Sequence, residues 1–244
     1  MGGTELNIVI PVFNEDKNFP KVYQAIREQV RVRYRILVVY DFDEDTTVPV
    51  VNKLAEDDSC LILIKNTLGR GPANALRTAF RAIESGPVLV VMADLSDDLR
   101  DAEEMFKFYQ KGFDLVCGSR YTHAGRQIGG PFIKSTLSRL AGLSLHYMRG
   151  IPTRDATNNF KLYDSQLLKS ISIESEGGFS IAMEITVKAF LMGKKITEVP
   201  TTWYDRAEGK AKFKLFKWMP QYLHWYFFAF QPKYKSSSDG NRAV

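Results

Sequence analysis

Cysteine is scarce in this chain, with two residues, Cys60 and Cys117, among 244. Two thiols cannot build a disulfide framework. Each stands in an apolar run, which predicts buried thiols and suits a reducing compartment. Long apolar runs are missing too. No stretch approaches the roughly 18 apolar residues that a spanning helix needs. The opening MGGTELNIVI has neither a basic segment nor a small-residue cleavage site, so no signal peptide is expected. Leu6 stands where a myristoylation signal carries Ser or Thr. The first apolar run is not followed by G-x-G-x-x-G, and G-x-x-x-x-G-K-[ST] occurs nowhere. That argues against a dinucleotide-dependent dehydrogenase and a P-loop ATPase; Gly69-Arg70-Gly71 is a lone G-x-G. His123, His146 and His224 lack metal-ligand spacing. There is no internal repeat and no linker that clearly splits the chain.

What is present is a folding composition: 45% hydrophobic, 25% charged, net charge +5. Short runs rich in Val, Ile and Leu recur at 6–12, 35–41, 61–65, 87–93 and 114–119. They are nearly free of polar residues, as strands covered on both faces are. Helical periodicity fills the gaps at 17–30, 47–57, 71–84 and 99–111. This alternation predicts an α/β fold with a doubly wound, mostly parallel sheet flanked by helices. Beyond residue 120 the rhythm changes. A mobile loop is expected at 122–130, a helix at 133–149, an irregular strand near 155–163 and a helix at 177–193. An edge or bulged strand carrying Pro200 is expected at 194–205. Residues 206–217 hold five bases against one acid, and 218–230 are strongly aromatic. The expected organisation is a domain over 1–213, an amphipathic aromatic helix over 214–231 and a disordered tail over 232–244.

Open sheets of this kind bind ligands beyond the carboxyl ends of their strands. The residues there are Phe13-Asn14-Glu15, Asp41-Phe42-Asp43, Asn66-Thr67, Asp94 through Asp98, and Arg120-Tyr121. Acids at several exits and a basic stretch near the C-terminus suit a nucleotide diphosphate.

Pro11-Val12-Phe13-Asn14-Glu15 resembles the P-x-[YF]-N-E opening of family-2 inverting glycosyltransferases with the GT-A fold. Ala93-Asp94-Leu95-Ser96, Gly118-Ser119-Arg120-Tyr121, the stretch from Asp155 to Tyr163, Glu198-Val199-Pro200 and Asp205-Arg206 resemble its polyprenyl-phosphate (dolichyl-phosphate) mannose synthase branch. So does Gly209 through Phe213. The resemblance implies a nucleotide-diphosphate sugar donor, a polyprenyl phosphate acceptor and a Mg2+ or Mn2+ ion. It places Pro11, Phe13, Asn14, Glu15, Asp41, Ala93 and Asp94 at the nucleotide sugar, and Asp94 with Ser96 at the metal. Arg120, Lys134 and Arg139 become candidates for the acceptor phosphate. Asp94, Arg206 and Lys212 become the catalytic group. A phosphate monoester is already anionic at neutral pH, so the acceptor needs cations rather than a strong base. Two departures stand out. The family's D-A-D is here Met92-Ala93-Asp94, and its D-D-G-S is Tyr40-Asp41-Phe42-Asp43.

The aromatic residues and lysines of 213–230 imply peripheral contact with the inner face of a membrane. Gln221-Tyr222-Leu223-His224-Trp225 is a chance likeness to Q-x-x-R-W, with His in place of Arg. No nucleic-acid motif accompanies the basic charge. A homo-oligomer and a membrane-protein partner are both compatible with the sequence. Two other functional readings stay open. One is transfer to a hydroxyl, with Asp97, Asp155 or Glu184 as the base. The other is a nucleotide-binding scaffold without catalysis, kept alive by the missing first acid.

Overall fold

The computed structural model describes residues 4–176, 178–205 and 215–232. A seven-stranded sheet has the order β3-β2-β1-β4-β7-β5-β8. Its strands are β1 (Leu6–Pro11), β2 (Tyr34–Tyr40), β3 (Leu61–Lys65), β4 (Pro87–Val90), β5 (Leu115–Ser119), β7 (Lys161–Asp164) and β8 (Ile196–Pro200). Of these, β7 alone runs against its neighbours, β4 and β5. The expected GT-A-type α/β arrangement is therefore what forms. The helices of its first half are α1 (Phe19–Gln29), α2 (Thr47–Ala55), α3 (Pro72–Ala82) and α4 (Ala102–Gln110).

The apolar runs become strands because both faces of the sheet are covered. All six residues of β1 are buried. Ile8 and Ile10 join the core under α1, whereas Val9, pointing the other way, joins the core under α3. That alternation follows from the period of two in a strand. Helix α1 buries Phe19, Val22, Tyr23 and Ile26, a stripe at helical spacing, and Pro20 sits in its first turn.

The second half departs from expectation in three places. The segment taken for a mobile loop contains β6 (Arg126–Ile128), which pairs in parallel with β9 (Thr202–Tyr204) as a separate two-stranded sheet. The helix expected at 133–149 is α5 (Phe132–Ser144) closed by a π-helical turn over Leu145–Arg149. The edge strand is broken into β8 and β9 by Thr201, whose N–H turns to the carbonyl of Ser119. After β7 come α6 (Ser165–Ser170) and α7 (Ile181–Leu191). The last helix, α8 (Leu215–Phe228), lies against α7. Trp225 and, just past its end, Ala229 are buried with Met183, Val187 and Leu191 of α7. The expected tail lies outside the described residues from 233 onward. Of the thiols, Cys117 is buried and Cys60 is half-buried.

Candidate active site

Two non-glycine residues have a left-handed backbone among the described residues: Asn14 (φ 53°) and Leu95 (φ 62°). They follow β1 and β4, which are hydrogen-bonded neighbours. Such conformations cost of order 1–3 kcal/mol and gather where structure serves a site. Here they mark one point on the sheet's carboxyl edge.

After β4 the chain turns sharply through Ala93-Asp94-Leu95-Ser96. The Ser96 N–H donates to Asp94 Oδ1 at 3.2 Å, and the Tyr204 N–H donates to the Ser96 carbonyl at 2.9 Å. The Asp94 side chain is largely buried in that turn. Asp97 reaches back and accepts the Met92 N–H at 2.9 Å. Burial, with the Asp94 charge adding to it, pushes the Asp97 carboxyl up to about 7, against the pull of the Met92 N–H and Arg120. Met92, in place of the family's first acid, faces a cavity of about 300 Å³ with Val22, Leu95, Asp97, Leu99 and Tyr204. Asp94 and Ser96 are hard oxygen donors, the kind that Mg2+ and Mn2+ take. No group of three His, Cys, Asp or Glu among the described residues could hold a metal. Two such donors would leave most positions of an ion to other ligands. Asp98 belongs elsewhere: it caps the short helical turn before α4 and holds Arg100 through two bonds.

The other exits are tied into a scaffold. Asp45 accepts the Asn14 N–H and the Thr47 N–H, and Asn14 Oδ1 accepts the Thr46 N–H. The Glu15 N–H donates to Thr47 Oγ1, and its carboxylate accepts Asn18 Nδ2 at 2.7 Å. Asn14 and Glu15 thus fasten the β1 exit to the start of α2. Asp41 plays a similar part. Its Oδ1 accepts Asn66 Nδ2 at 2.7 Å and its Oδ2 accepts the Gly71 N–H at 2.8 Å. Asn66 Nδ2 also reaches the Gly69 carbonyl. Gly69 (φ 100°) and Gly71 (φ 125°) need the freedom of glycine for this loop. The clasp sets the Arg70 guanidinium over the Phe42 ring at 4.8 Å, and Phe42 meets Phe13 edge to face at 5.5 Å. A cation and two rings thus stand together beside the Asp94 turn's neighbouring strand. Sequence reading passed over Phe42; its signal was its place immediately after Asp41.

The cationic side holds a correction. Arg120 is not a cation available to an acceptor phosphate. Its side chain is about 10% exposed and grips the fully buried Asp155. It also donates to Ser138 Oγ at 3.0 Å and Thr157 Oγ1 at 3.2 Å. Asp155 is likewise removed as a candidate base, and so is Glu184, which pairs with buried Lys188 within α7. Lys134 and Arg139 are exposed on α5. Pro11 ends β1, and Ala93 is buried in the turn. Arg206 and Lys212 lie outside the described residues.

The model of the family described as "Glycosyl transferase family 2" matches residues 7–172. The chain belongs to glycosyl transferase family 2. Its curated relatives fall where the motif resemblance pointed. It is 28% identical over 218 residues to the dolichol-phosphate mannosyltransferase of Pyrococcus furiosus, covering 86% of this chain and 59% of that one. It is 26% identical over 209 residues to the undecaprenyl-phosphate mannosyltransferase of Micrococcus luteus, covering 84% and 85%. The Pyrococcus protein is thus considerably longer. Among solved structures, glucosyl-3-phosphoglycerate synthase from Mycobacterium tuberculosis, bound to Mn2+, UDP-glucose and phosphoglyceric acid, superposes with a TM-score of 0.67. That match is 16% identical and covers 93% of this chain and 80% of the other. S. aureus TarS gives a TM-score of 0.60 at 19% identity, covering 83% and 60%. These likenesses establish the GT-A fold for this family-2 chain.

Proposed function

We propose that this glycosyltransferase moves a hexosyl group from a nucleotide-diphosphate sugar to a polyprenyl phosphate with inversion. An acceptor phosphate oxygen forms the new bond to the anomeric carbon, the bond to the donor diphosphate breaks, and the nucleoside diphosphate leaves with the electron pair. No proton need be removed from the nucleophile. Pro11, Phe13, Asn14, Glu15, Asp41 and Ala93 shape the donor pocket, Gly69 and Arg70 help enclose the base, and Phe42, which carries the Arg70 guanidinium on its ring, joins them. Asp94 and Ser96 hold Mg2+ or Mn2+, which when bound neutralises charge on the leaving diphosphate. Lys134 and Arg139 receive the acceptor phosphate. Arg206 and Lys212 stabilise the charge that passes between the two anions. Arg120 becomes a positioning residue, holding α5 through Ser138. The chain works on the inner face of a membrane, which α8 touches from outside; no described helix is long and apolar enough to cross one.

The observation that carries this reading is the Asp94 turn at the exit of β4, together with relatives named for mannosyl transfer to lipid phosphates. A panel of nucleotide sugars with a short polyprenyl phosphate, with Mn2+ or with chelator, tests it. Metal-dependent formation of a glycosyl phospholipid from one donor is expected. Transfer to a hydroxyl acceptor alone would overturn it. That second reading retains Asp97, which stands beside Asp94, as its base. Asp97→Asn separates the two, since a phosphate nucleophile still reacts and a hydroxyl does not.

A further inference from the structure

Leu95, at the centre of the Asp94 turn, has a left-handed backbone with φ 62°. For a residue with a Cβ that conformation is costly, and it falls mostly to glycine and asparagine. Asn14, which shares it, gains a bond in exchange, since its Oδ1 accepts the Thr46 N–H. A leucine side chain has no polar atom with which to do this. The strain at Leu95 must be held by packing beyond the turn, and strain held in this way gathers where a site needs a fixed backbone.

That packing is present. The Leu95 side chain rests on the core under α1. With Val22 of α1 and Leu99 of the helical turn before α4, both buried, it lines the cavity of about 300 Å³ beside the turn. Ala93, on the other side of Asp94 in the chain, belongs to the same core. Tyr204, also at the cavity, donates its N–H to the Ser96 carbonyl at 2.9 Å. Apolar contacts therefore pin the chain immediately before and after Asp94, and β9 holds it at Ser96. The two oxygen donors, Asp94 and Ser96, are separated by Leu95 alone. How their side chains point relative to each other depends directly on the backbone angles of that residue.

We infer that Leu95 is a positioning residue for the metal: its seat in the core under α1 holds the left-handed turn that brings Asp94 and Ser96 to one ion. The inference rests on the proposed place of that ion at Asp94, and adds to it a residue with no ligating atom. Glycine would take the same backbone conformation without strain, but it would leave the turn free to leave that conformation as well. Leucine makes the opposite exchange. The turn bears the strain, and the apolar contact keeps the two donors in one arrangement before any ion arrives.

Titration of the full chain with Mn2+, followed by electron paramagnetic resonance with UDP and then GDP present, tests it beside thermal unfolding. Leu95→Gly removes the side chain and the strain together. Its unfolding temperature should stay close to that of the wild type, while Mn2+ binds about tenfold more weakly or worse, the scale on which loss of an orienting contact weakens a metal site. Leu95→Ala keeps the strain and loses the seat. It should bind Mn2+ as weakly as Leu95→Gly and unfold at a lower temperature than it. Leu95→Met restores an apolar chain of similar volume and should bind Mn2+ within about threefold of the wild type. A leucine that merely filled the core would give another pattern, with stability lost in Leu95→Gly and Mn2+ affinity kept. That pattern would overturn the inference, as would a folded Leu95→Met that binds no better than Leu95→Ala. Asp94→Asn separates this from the reading on which it rests. If Asp94→Asn weakens Mn2+ binding and the Leu95 variants do not, the metal stays at Asp94 and the role of Leu95 falls. If Asp94→Asn and wild type bind Mn2+ alike, or neither binds it, the metal reading falls and takes this inference with it.

Discussion

Arg120 and Asp155 are locked side by side, Nε to Oδ2 at 2.6 Å and Nη2 to Oδ1 at 2.9 Å, with the Arg120 N–H adding a third bond at 3.1 Å. The carboxylate has no exposed surface. Asp155→Asn leaves a nearly buried guanidinium without its counter-charge, which costs about 3–5 kcal/mol. Urea unfolding measures this. The effect depends on pH in a definite sense. Burial alone would raise the Asp155 carboxyl, but the Arg120 guanidinium holds it below the usual carboxylate range. A lowered folded-state value means stability that is present above the unfolded pKa of about 3.9 and lost as pH falls through the folded value. The gap between wild type and variant should be full at neutral pH, begin to narrow below about pH 4 and close as pH falls through the folded value. A gap constant from pH 7 to pH 3 would exclude the ion pair as its source.

Asp94 offers the sharpest catalytic test. It sits in a turn closed by the Ser96 N–H, so Asp94→Asn preserves shape while removing charge. Transfer should fall by about 100-fold or more, in the range that loss of one charge-stabilising group produces. The circular dichroism spectrum should not change. Dependence on added Mn2+ should shift to higher concentration. Full activity in the variant would remove Asp94 from the metal.

The loop that Asp41 clasps gives a test of its proposed place at the nucleotide. Asp41→Asn turns one acceptor into a donor facing the Asn66 amide or the Gly71 N–H. Charge-assisted bonds of this sort contribute about 1.5–3 kcal/mol each. The 66–71 loop should loosen and Arg70 should leave the Phe42 ring. Calorimetry should then show nucleoside diphosphate binding about tenfold more weakly, with the unfolding temperature lower by several degrees. Unchanged affinity would make the clasp a matter of stability alone.

The parallel half of the sheet was legible because its signal is local. Runs such as LNIVIP are buried on both faces, so each announces itself as a strand from its own residues. The position of Asp94 just past a strand was legible in the same way. What escaped was set by partners distant in sequence. Arg120 reads as a free cation until Asp155, 35 residues on, closes over it. Strand β6 is three residues long and exists because β9 pairs with it. The direction of α5 was hidden as well. Periodicity says that a stripe exists but not which way it faces, and Ser138 and Gly142 decide that through contacts with Arg120 and Arg154.

Lys188 gives the last test, because it joins α7 to α8. Its Nζ has no exposed surface and donates to the Ser172 carbonyl at 2.6 Å and to Glu174 and Glu184 at 2.7 Å each. It also lies 4.7 Å from the centre of the Trp225 ring. Glu184 in turn accepts the N–H groups of Glu174 and Ser175, and Ser175 Oγ accepts the Trp225 indole N–H at 3.1 Å. Lys188→Met keeps the length of the side chain and strips out the charge. It leaves Glu184 buried without a cation, at a cost of about 3–5 kcal/mol. Trp225 loses the cation at its face, and the Ser175 segment that holds its indole loses its anchor. Tryptophan emission should therefore shift to longer wavelength before the main unfolding transition in urea. Adding Glu184→Gln removes the stranded charge and keeps an acceptor oxygen for one of the two N–H groups. The double variant should recover part of the lost stability. Recovery with α8 still loosened would assign the seating of α8 to the cation on Trp225. Recovery of both would assign it to the Glu184 acceptor.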